Sequence, residues 1–152
     1  MVNSVKDLIS VSIIGGSGYT GAELIRLVSK HPYFHLNQVV ANRNADKKIQ
    51  AIFPHLRHLN LPDFINFDQM DFDNVDLIFC ALPHATSQEI IVKIPEGKKI
   101  IDLSADFRLE SIEEYEKWYK TKHIANFLQK KAVYGLTEIY KEKIKKGSLI
   151  AC

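Results

Sequence analysis

Only two cysteines occur in the 152 residues, Cys80 and Cys152. Two thiols in dissimilar contexts give neither a disulfide framework nor the ligand set of a zinc site. Cys80 lies inside an apolar run, where a thiol behaves as a small buried hydrophobe rather than a nucleophile. Charge of one sign is also lacking. Twenty Lys and Arg against eighteen Asp and Glu leave a formal net charge of +2, too close to balance to argue for a nucleic-acid partner. No apolar stretch reaches the length of a membrane span, so no membrane partner is expected. Met1–Ser10 has no apolar core of the signal-peptide kind, and residues 1–10 read as a short leader, disordered in part. The cytoplasm is then the default location. There is no internal repeat or low-complexity tract. His55 and His58 stand three residues apart without a third ligand spaced to help, so they make no metal site.

Glycine is scarce as well, with seven in the chain, but four of them fall within seven positions: Gly15, Gly16, Gly18 and Gly21. They follow the β-branched run Val11–Ile14 and precede a helix pattern in which Leu24, Ile25, Leu27 and Val28 are spaced for one apolar face. Gly16, Gly18 and Gly21 fit the G-x-G-x-x-G spacing, and strand, glycine turn, helix is the context that gives the spacing meaning. Glycine lets the backbone turn tightly and approach a pyrophosphate closely, and the helix N-terminus presents unpaired N–H groups to it. The plainer reading is a glycine-rich turn without a ligand.

A helix over residues 20–30 ends at His31-Pro32, and Leu36–Ala41 makes the second strand, so the opening is a β-α-β unit of mononucleotide-binding length. NAD binders place a carboxylate after that second strand. Here Ala41-Asn42-Arg43-Asn44 follows, with Lys47 and Lys48 close behind. Arg43, a planar cation suited to phosphate, favours NADP(H) over NAD; the plainer reading is a solvated basic loop. Residues 49–74 mix apolar and turn signals and are the least legible part.

Val75–Leu82 is a buried type of strand ending at Pro83-His84, and His84 at a strand's carboxyl end is a candidate to line a cofactor crevice; the plainer reading is a turn histidine with no role. Thr86-x-x-Glu89 and Ser111-x-x-Glu114 read as capping boxes. The strand over 98–104 runs into a polar cluster of Asp102, Ser104, Asp106 and Arg108, which either faces a ligand or ties the loop down. Glu113–Lys117 and Glu116–Lys120 are spaced as helical ion pairs. A last helix, with Ile139, Tyr140 and Ile144 on its apolar side, is stopped by Gly147, and Ser148–Cys152 starts another strand. This alternation predicts an α/β fold, a Rossmann-like, doubly wound, mostly parallel sheet with helices on both faces, over residues 11–152.

Four segments, in order, resemble the amino-terminal part of the N-acetyl-gamma-glutamyl-phosphate reductases. They are Gly15–Leu24, Ala81-Leu82-Pro83-His84, Asp102-Leu103-Ser104-Ala105-Asp106-Phe107-Arg108, and Tyr134-Gly135-Leu136-Thr137-Glu138. The resemblance runs from about Val11 to Cys152. The second and third segments set it apart from the aspartate-semialdehyde dehydrogenases, which share the glycine loop.

The resemblance implies an NADPH-dependent reduction of N-acetyl-L-glutamyl 5-phosphate to the semialdehyde through a cysteine thioester, a step of arginine biosynthesis. It implies cofactor contacts from Gly15, Gly16, Ser17, Gly18, Tyr19, Thr20 and Gly21, from Arg43, and from Leu82, Pro83 and His84. Ser104 and Arg108 fall in a motif near the substrate cleft. The family's nucleophile sits in a Pro-Gly-Cys-Tyr turn just past the strand that starts at Ser148. Cys152 is therefore not that nucleophile, which is expected three residues further on, outside this sequence. No catalytic residue is expected within the chain, which would be an inactive fragment lacking the substrate domain and the final helix of the cofactor domain. A homo-oligomer is expected of the full-length protein. Thr137 stands where the family often has proline. Two other readings stay open: a nucleotide-sensing Rossmann module with a regulatory partner, and a reductase of the aspartate-semialdehyde dehydrogenase kind.

Overall fold

The computed structural model describes residues 8–152; the expectation for the leader lies, for its first seven positions, outside the described residues. Ile9 and Ser10, expected in that leader, belong instead to the first strand. The chain divides into two compact units, one ending at Ala81 and the other spanning Leu82–Cys152.

The first unit contains β1 (Ile9–Ile14), α1 (Tyr19–Val28), β2 (Phe34–Val40), α2 (Ile49–Ile52), β3 (Phe64–Ile65) and β4 (Leu77–Cys80). Its strands lie in the order β3-β2-β1-β4, and every pairing among them is parallel. β1 is central, and residues 11–14 are all buried, as suits a parallel strand covered on both faces. Val11 and Ile13 pack with Ile25 and Val28 of α1 and with Val39, Ile49, Leu56 and Phe64 in one apolar core. Each such aliphatic side chain contributes about 1.5–3 kcal/mol by leaving water. The buried stripe of α1 is Gly21, Ala22, Ile25 and Val28. Leu27, expected on that stripe, is 55% exposed. It lies two residues, about 200°, around the helix from Ile25. Cys80 is fully buried in β4.

The second unit contains α3 (Thr86–Ile91), β5 (Lys99–Asp102), α4 (Ile112–Tyr119), α5 (Asn126–Gln129), β6 (Val133–Tyr134), α6 (Thr137–Lys146) and β7 (Leu149–Ala151). β7 lies between β5 and β6 and is parallel to both. Gly147 ends α6, its N–H reaching the carbonyls of Lys143 and Ile144. The expected apolar side of α6 is not a buried face. None of its residues is buried, Ile139 is 68% exposed, and the helix is kinked at Tyr140. Parallel strands joined through helices make this an α/β fold of the Rossmann-like kind. Among the described residues no helix is long and apolar enough to cross a membrane.

Candidate functional site

In the first unit the chain runs outward from β1 to β2 to β3 and then returns to place β4 on the other side of β1. Such a reversal opens a crevice at the carboxyl ends of the two diverging strands, where doubly wound sheets bind ligands. The residues at that point are the glycines. Gly15 has φ +87, a left-handed turn that favours glycine. The N–H groups of Gly15 and Gly16 both donate to the Val40 carbonyl, at 3.0 and 2.9 Å, which ties the loop to the end of β2.

The other three glycines differ in what surrounds them. A Cβ on Gly16 would run into Cγ1 of Val39, and one on Gly21 would meet the Gly15 carbonyl oxygen at 2.5 Å and the Gly16 backbone at 2.7 Å. These two are required by packing. Gly18 is not. It has an ordinary extended conformation, with φ −85 and ψ 172, and a Cβ there would meet nothing nearer than the Gly15 oxygen at 3.8 Å. Gly18 is also the N-cap of α1. It supplies no side-chain cap, and the first turn carries no acidic residue. The positive end of a ten-residue helix is thus left open beside a backbone without side-chain cover, a setting that suits a phosphate. Ser17 is half-buried, Thr20 is exposed, and Tyr19 is 95% exposed.

Arg43 sits in a 3-10 turn, Asn42–Asn44, just past β2. Because Ile14 pairs with Val40 in register, the glycine loop and this turn leave adjacent strand ends on the same edge of the sheet. Arg43 is exposed and has no ion pair or hydrogen bond among the described residues. Lys47 is turned to Asn44, Nζ donating to its side-chain oxygen at 3.2 Å. The residues present therefore fit a dinucleotide: an open helix end for a pyrophosphate and an uncommitted guanidinium at the next strand end.

The second unit opens with Leu82, half-buried, and Pro83 and His84, both exposed. The His84 ring lies 5.8 Å from that of Tyr119. Ala85 follows with φ +67, strained for a residue with a Cβ. The capping box expected from Thr86 is not formed. Thr86 is the first residue of α3, the N-cap is Ala85, and it makes no side-chain cap. The cap comes from Asp106, whose Oδ1 accepts from the Ala85 N–H at 2.7 Å and Oδ2 from the Gln88 N–H at 2.9 Å. At α4 the Ser111 hydroxyl does accept from the Glu114 N–H, while Glu113 accepts from Ser111 and Glu116 from the His123 N–H. Those two carboxylates are engaged there rather than by Lys117 and Lys120.

Asp106 belongs to a buried polar network. Asp102 accepts from the Ser87 hydroxyl (2.6 Å), the Ser104 N–H (3.1 Å) and the Ser104 hydroxyl (2.6 Å). The Ser104 oxygen accepts from the Asp106 N–H at 3.0 Å. Tyr115 donates to Asp106 at 2.7 Å. Ala125 donates its N–H to Nδ1 of His123, which leaves the proton on Nε2, and Nε2 donates to the Asp106 carbonyl at 2.9 Å. The Gln88 side-chain oxygen accepts from the Ile124 N–H. Burial raises the Asp102 carboxyl above its usual range, against the pull of the Ser104 and Ser87 hydrogen bonds. Burial first, and the Asp106 carboxylate second, push the Tyr115 phenol up, so it stays a donor.

Ser104 is 5% exposed and its hydroxyl is engaged on both sides, so in this structure it braces the loop rather than lining an open cleft. Arg108 is exposed. It donates to the carbonyls of Cys152 (2.9 Å) and Leu103 (3.1 Å). The Cys152 thiol is raised above its usual value, by burial first, with Arg108 pulling the other way. Tyr115, Gln88 and His123 carry much of the network and have no sequence signal at all; the only hint was the alternate spacing of Asp102, Ser104 and Asp106.

Fold and loop together define a Rossmann-like nucleotide-binding domain. The family model described as the semialdehyde dehydrogenase NAD binding domain matches residues 10–147, and the chain belongs to that family. It is similar to N-acetyl-gamma-glutamyl-phosphate reductase of Roseobacter denitrificans, with 53% identity over 142 residues covering 93% of this chain and 42% of that protein. The Arabidopsis thaliana protein named probable N-acetyl-gamma-glutamyl-phosphate reductase, chloroplastic, is 51% identical over 99% of this chain and 37% of its own length. The chain thus spans about two-fifths of the curated relatives it matches. Among solved structures, aspartate semialdehyde dehydrogenase with NADP from Candida albicans superposes with a TM-score of 0.64, at 18% identity, covering 95% of this chain and 42% of that one. A Vibrio cholerae aspartate semialdehyde dehydrogenase II gives 0.65 at 14% identity, covering 95% of this chain and 37% of its own. At such identity they share the fold.

Proposed function

We propose that this chain is the NADPH-binding portion of an N-acetyl-gamma-glutamyl-phosphate reductase. The full-length enzyme would reduce N-acetyl-L-glutamyl 5-phosphate to N-acetyl-L-glutamate 5-semialdehyde with release of phosphate. The observation that carries the cofactor half of this reading is Gly18, a glycine that neither packing nor backbone angle requires, at the uncapped N-terminus of α1. The relatives' names support the choice of substrate.

Bound NADPH supplies a hydride; the chain's own residues bind and orient it. The loop Gly15–Gly21 receives the pyrophosphate on backbone N–H groups, with Ser17, Tyr19 and Thr20 beside it. Arg43 reads the ribose 2′-phosphate in a planar, charge-assisted contact. Leu82, Pro83 and His84 wall the nicotinamide ribose. Arg108 serves the substrate cleft, and Ser104 holds the segment leading to it. The reading makes the full-length protein a homo-oligomer of the cytoplasm; sedimentation of the full-length protein tests the assembly.

Calorimetric titration of the full-length protein with NADPH and with NADH tests the cofactor assignment. A charge-assisted contact to the 2′-phosphate predicts that NADPH binds at least about tenfold more tightly, and that Arg43→Ala removes this margin while leaving NADH within about twofold. Equal affinities that Arg43→Ala leaves unchanged would sink it.

A further inference from the structure

We infer that Asp106 is a positioning residue for the cofactor wall, holding the Pro83–His84–Ala85 turn in shape from 21 residues along the chain. The inference rests on the proposal that this turn faces the nicotinamide end of NADPH.

A short helix such as α3 needs only a side-chain oxygen at its N-cap, and Ala85 has none. The chain uses a buried carboxylate instead, and the carboxylate reaches one residue beyond the helix. Its Oδ1 takes the N–H of Ala85 and its Oδ2 the N–H of Gln88. Ala85 is the residue with φ +67. A non-glycine residue keeps such a conformation only where its surroundings over-determine it, and the bond to Asp106 is the one that fixes the Ala85 N–H. The angle at Ala85 in turn sets the direction of His84 and Pro83 relative to α3.

Asp106 is itself immobilised. It is fully buried. Its N–H is held by Ser104, its carbonyl by His123, and its Oδ1 also by the Tyr115 hydroxyl. The donors to the carboxylate are two backbone N–H groups and the Tyr115 hydroxyl, none of them a Lys or Arg, so it is held by hydrogen bonds of fixed direction. Three groups outside the turn therefore fix Asp106, Ser104 and His123 on its main chain and Tyr115 on its side chain, and that side chain holds the turn. Helix stability alone asks for much less.

The experiment compares full-length wild type, Asp106→Asn, and Asp106→Asn combined with Ala85→Gly. Binding is measured for NADPH and for 2′,5′-ADP, which carries the phosphate end of the cofactor without the nicotinamide. Asparagine turns an N–H toward one of the two backbone donors. Asp106→Asn is expected to weaken NADPH by about tenfold while 2′,5′-ADP stays within about twofold. Glycine, free to adopt positive φ, is expected to restore at least half of the loss on a logarithmic scale. A purely structural role would weaken both ligands together and would gain nothing from Ala85→Gly; either result overturns the inference.

Amide hydrogen exchange on wild type gives a second test that does not depend on a variant folding. The Ala85 N–H is expected to be protected as strongly as that of Gln88. Exchange at the rate of an open loop would overturn the inference by itself. Wild type that binds NADPH, with Asp106→Asn unchanged, removes the inference and leaves the cofactor reading standing. Wild type that binds no NADPH removes both.

Discussion

The glycines of the loop separate folding from function residue by residue. Gly16 and Gly21 are closed in by Val39 and by the loop's own backbone, so added methyl groups must displace a buried side chain or the main chain itself. Overpacking of this kind costs about 1–3 kcal/mol, and Gly21→Ala belongs at the upper end because backbone gives way less readily than a valine methyl. Gly18 faces open space in an ordinary conformation. Gly18→Ala should therefore change stability by less than about 0.5 kcal/mol while weakening NADPH, since its Cβ occupies the approach a pyrophosphate needs. Urea unfolding and cofactor titration on the three variants check this together. A Gly18→Ala variant that binds as wild type would return the loop to the plainer reading, a turn that only folds. The loop was legible because the need for glycine at 15 and 21 is local, arising from one strand end and one helix start, whereas at 16 it comes from Val39 of the neighbouring strand. Asp106 was legible only as a member of a polar cluster. Its partners at positions 85, 88, 115 and 123 come together through tertiary packing, and no spacing in the sequence encodes that.

At the scale of elements the long apolar runs were readable and the short pieces were not. β1, α1, β2 and β4 follow from β-branched runs and helical spacing, each within a few residues of expectation. β3 is two residues and α5 is four, and β3 holds its conformation by pairing with β2, so a window of sequence shows no period; the exception is β6, which falls in Val133–Glu138, a stretch that reads as a short strand or turn leading to the last helix. The box at Thr86 failed for a related reason. A carboxylate from the loop after β5 took the helix end that the local hydroxyl was expected to satisfy. The end of β5 also has an acid–base consequence. Asp102 is raised above its ordinary value of 3.8 by burial. The folded chain thus binds this proton more tightly than the unfolded chain does, so the protonated group favours folding. That contribution is full below the ordinary carboxylate value and is lost as pH rises through the raised one. Asp102→Asn carries no such titration, and its oxygen can still accept from Ser87 and Ser104. Measured by urea midpoints from about pH 3.5 to 7, the stability of wild type relative to Asp102→Asn should fall across the acid range and then level off. A difference that stays flat, or rises with pH, would show that the hydrogen bonds from Ser87 and Ser104 outweigh burial.

At the scale of the whole molecule, a chain that spans about two-fifths of its relatives must be asked which part of the chemistry it holds. The geometry argues for binding and positioning. Its open groups are backbone N–H ends, an uncommitted arginine and a braced turn. The candidate for a reacting group is Cys152, exposed as a residue but with its sulfur packed against Gly135, and it is poised the wrong way. A cysteine that attacks an acyl phosphate near neutral pH must be a thiolate, favoured by nearby cations or a helix N-terminus. Here burial raises the thiol, Asp102 adds to the rise, and Arg108 only partly opposes it. The Arg108 guanidinium donates to two backbone carbonyls, one of them that of Cys152 itself. Cys152 therefore holds Arg108 through its main chain and needs no reactive sulfur to do so. On the proposed reading, in which the reacting sulfur is not that of Cys152, Cys152→Ala in the full-length protein should keep turnover within about twofold of wild type, and iodoacetamide should inactivate the variant as fast as wild type. Loss of turnover in Cys152→Ala, together with resistance to alkylation, would move the nucleophile into this chain and make the segment after β7 part of the reacting centre.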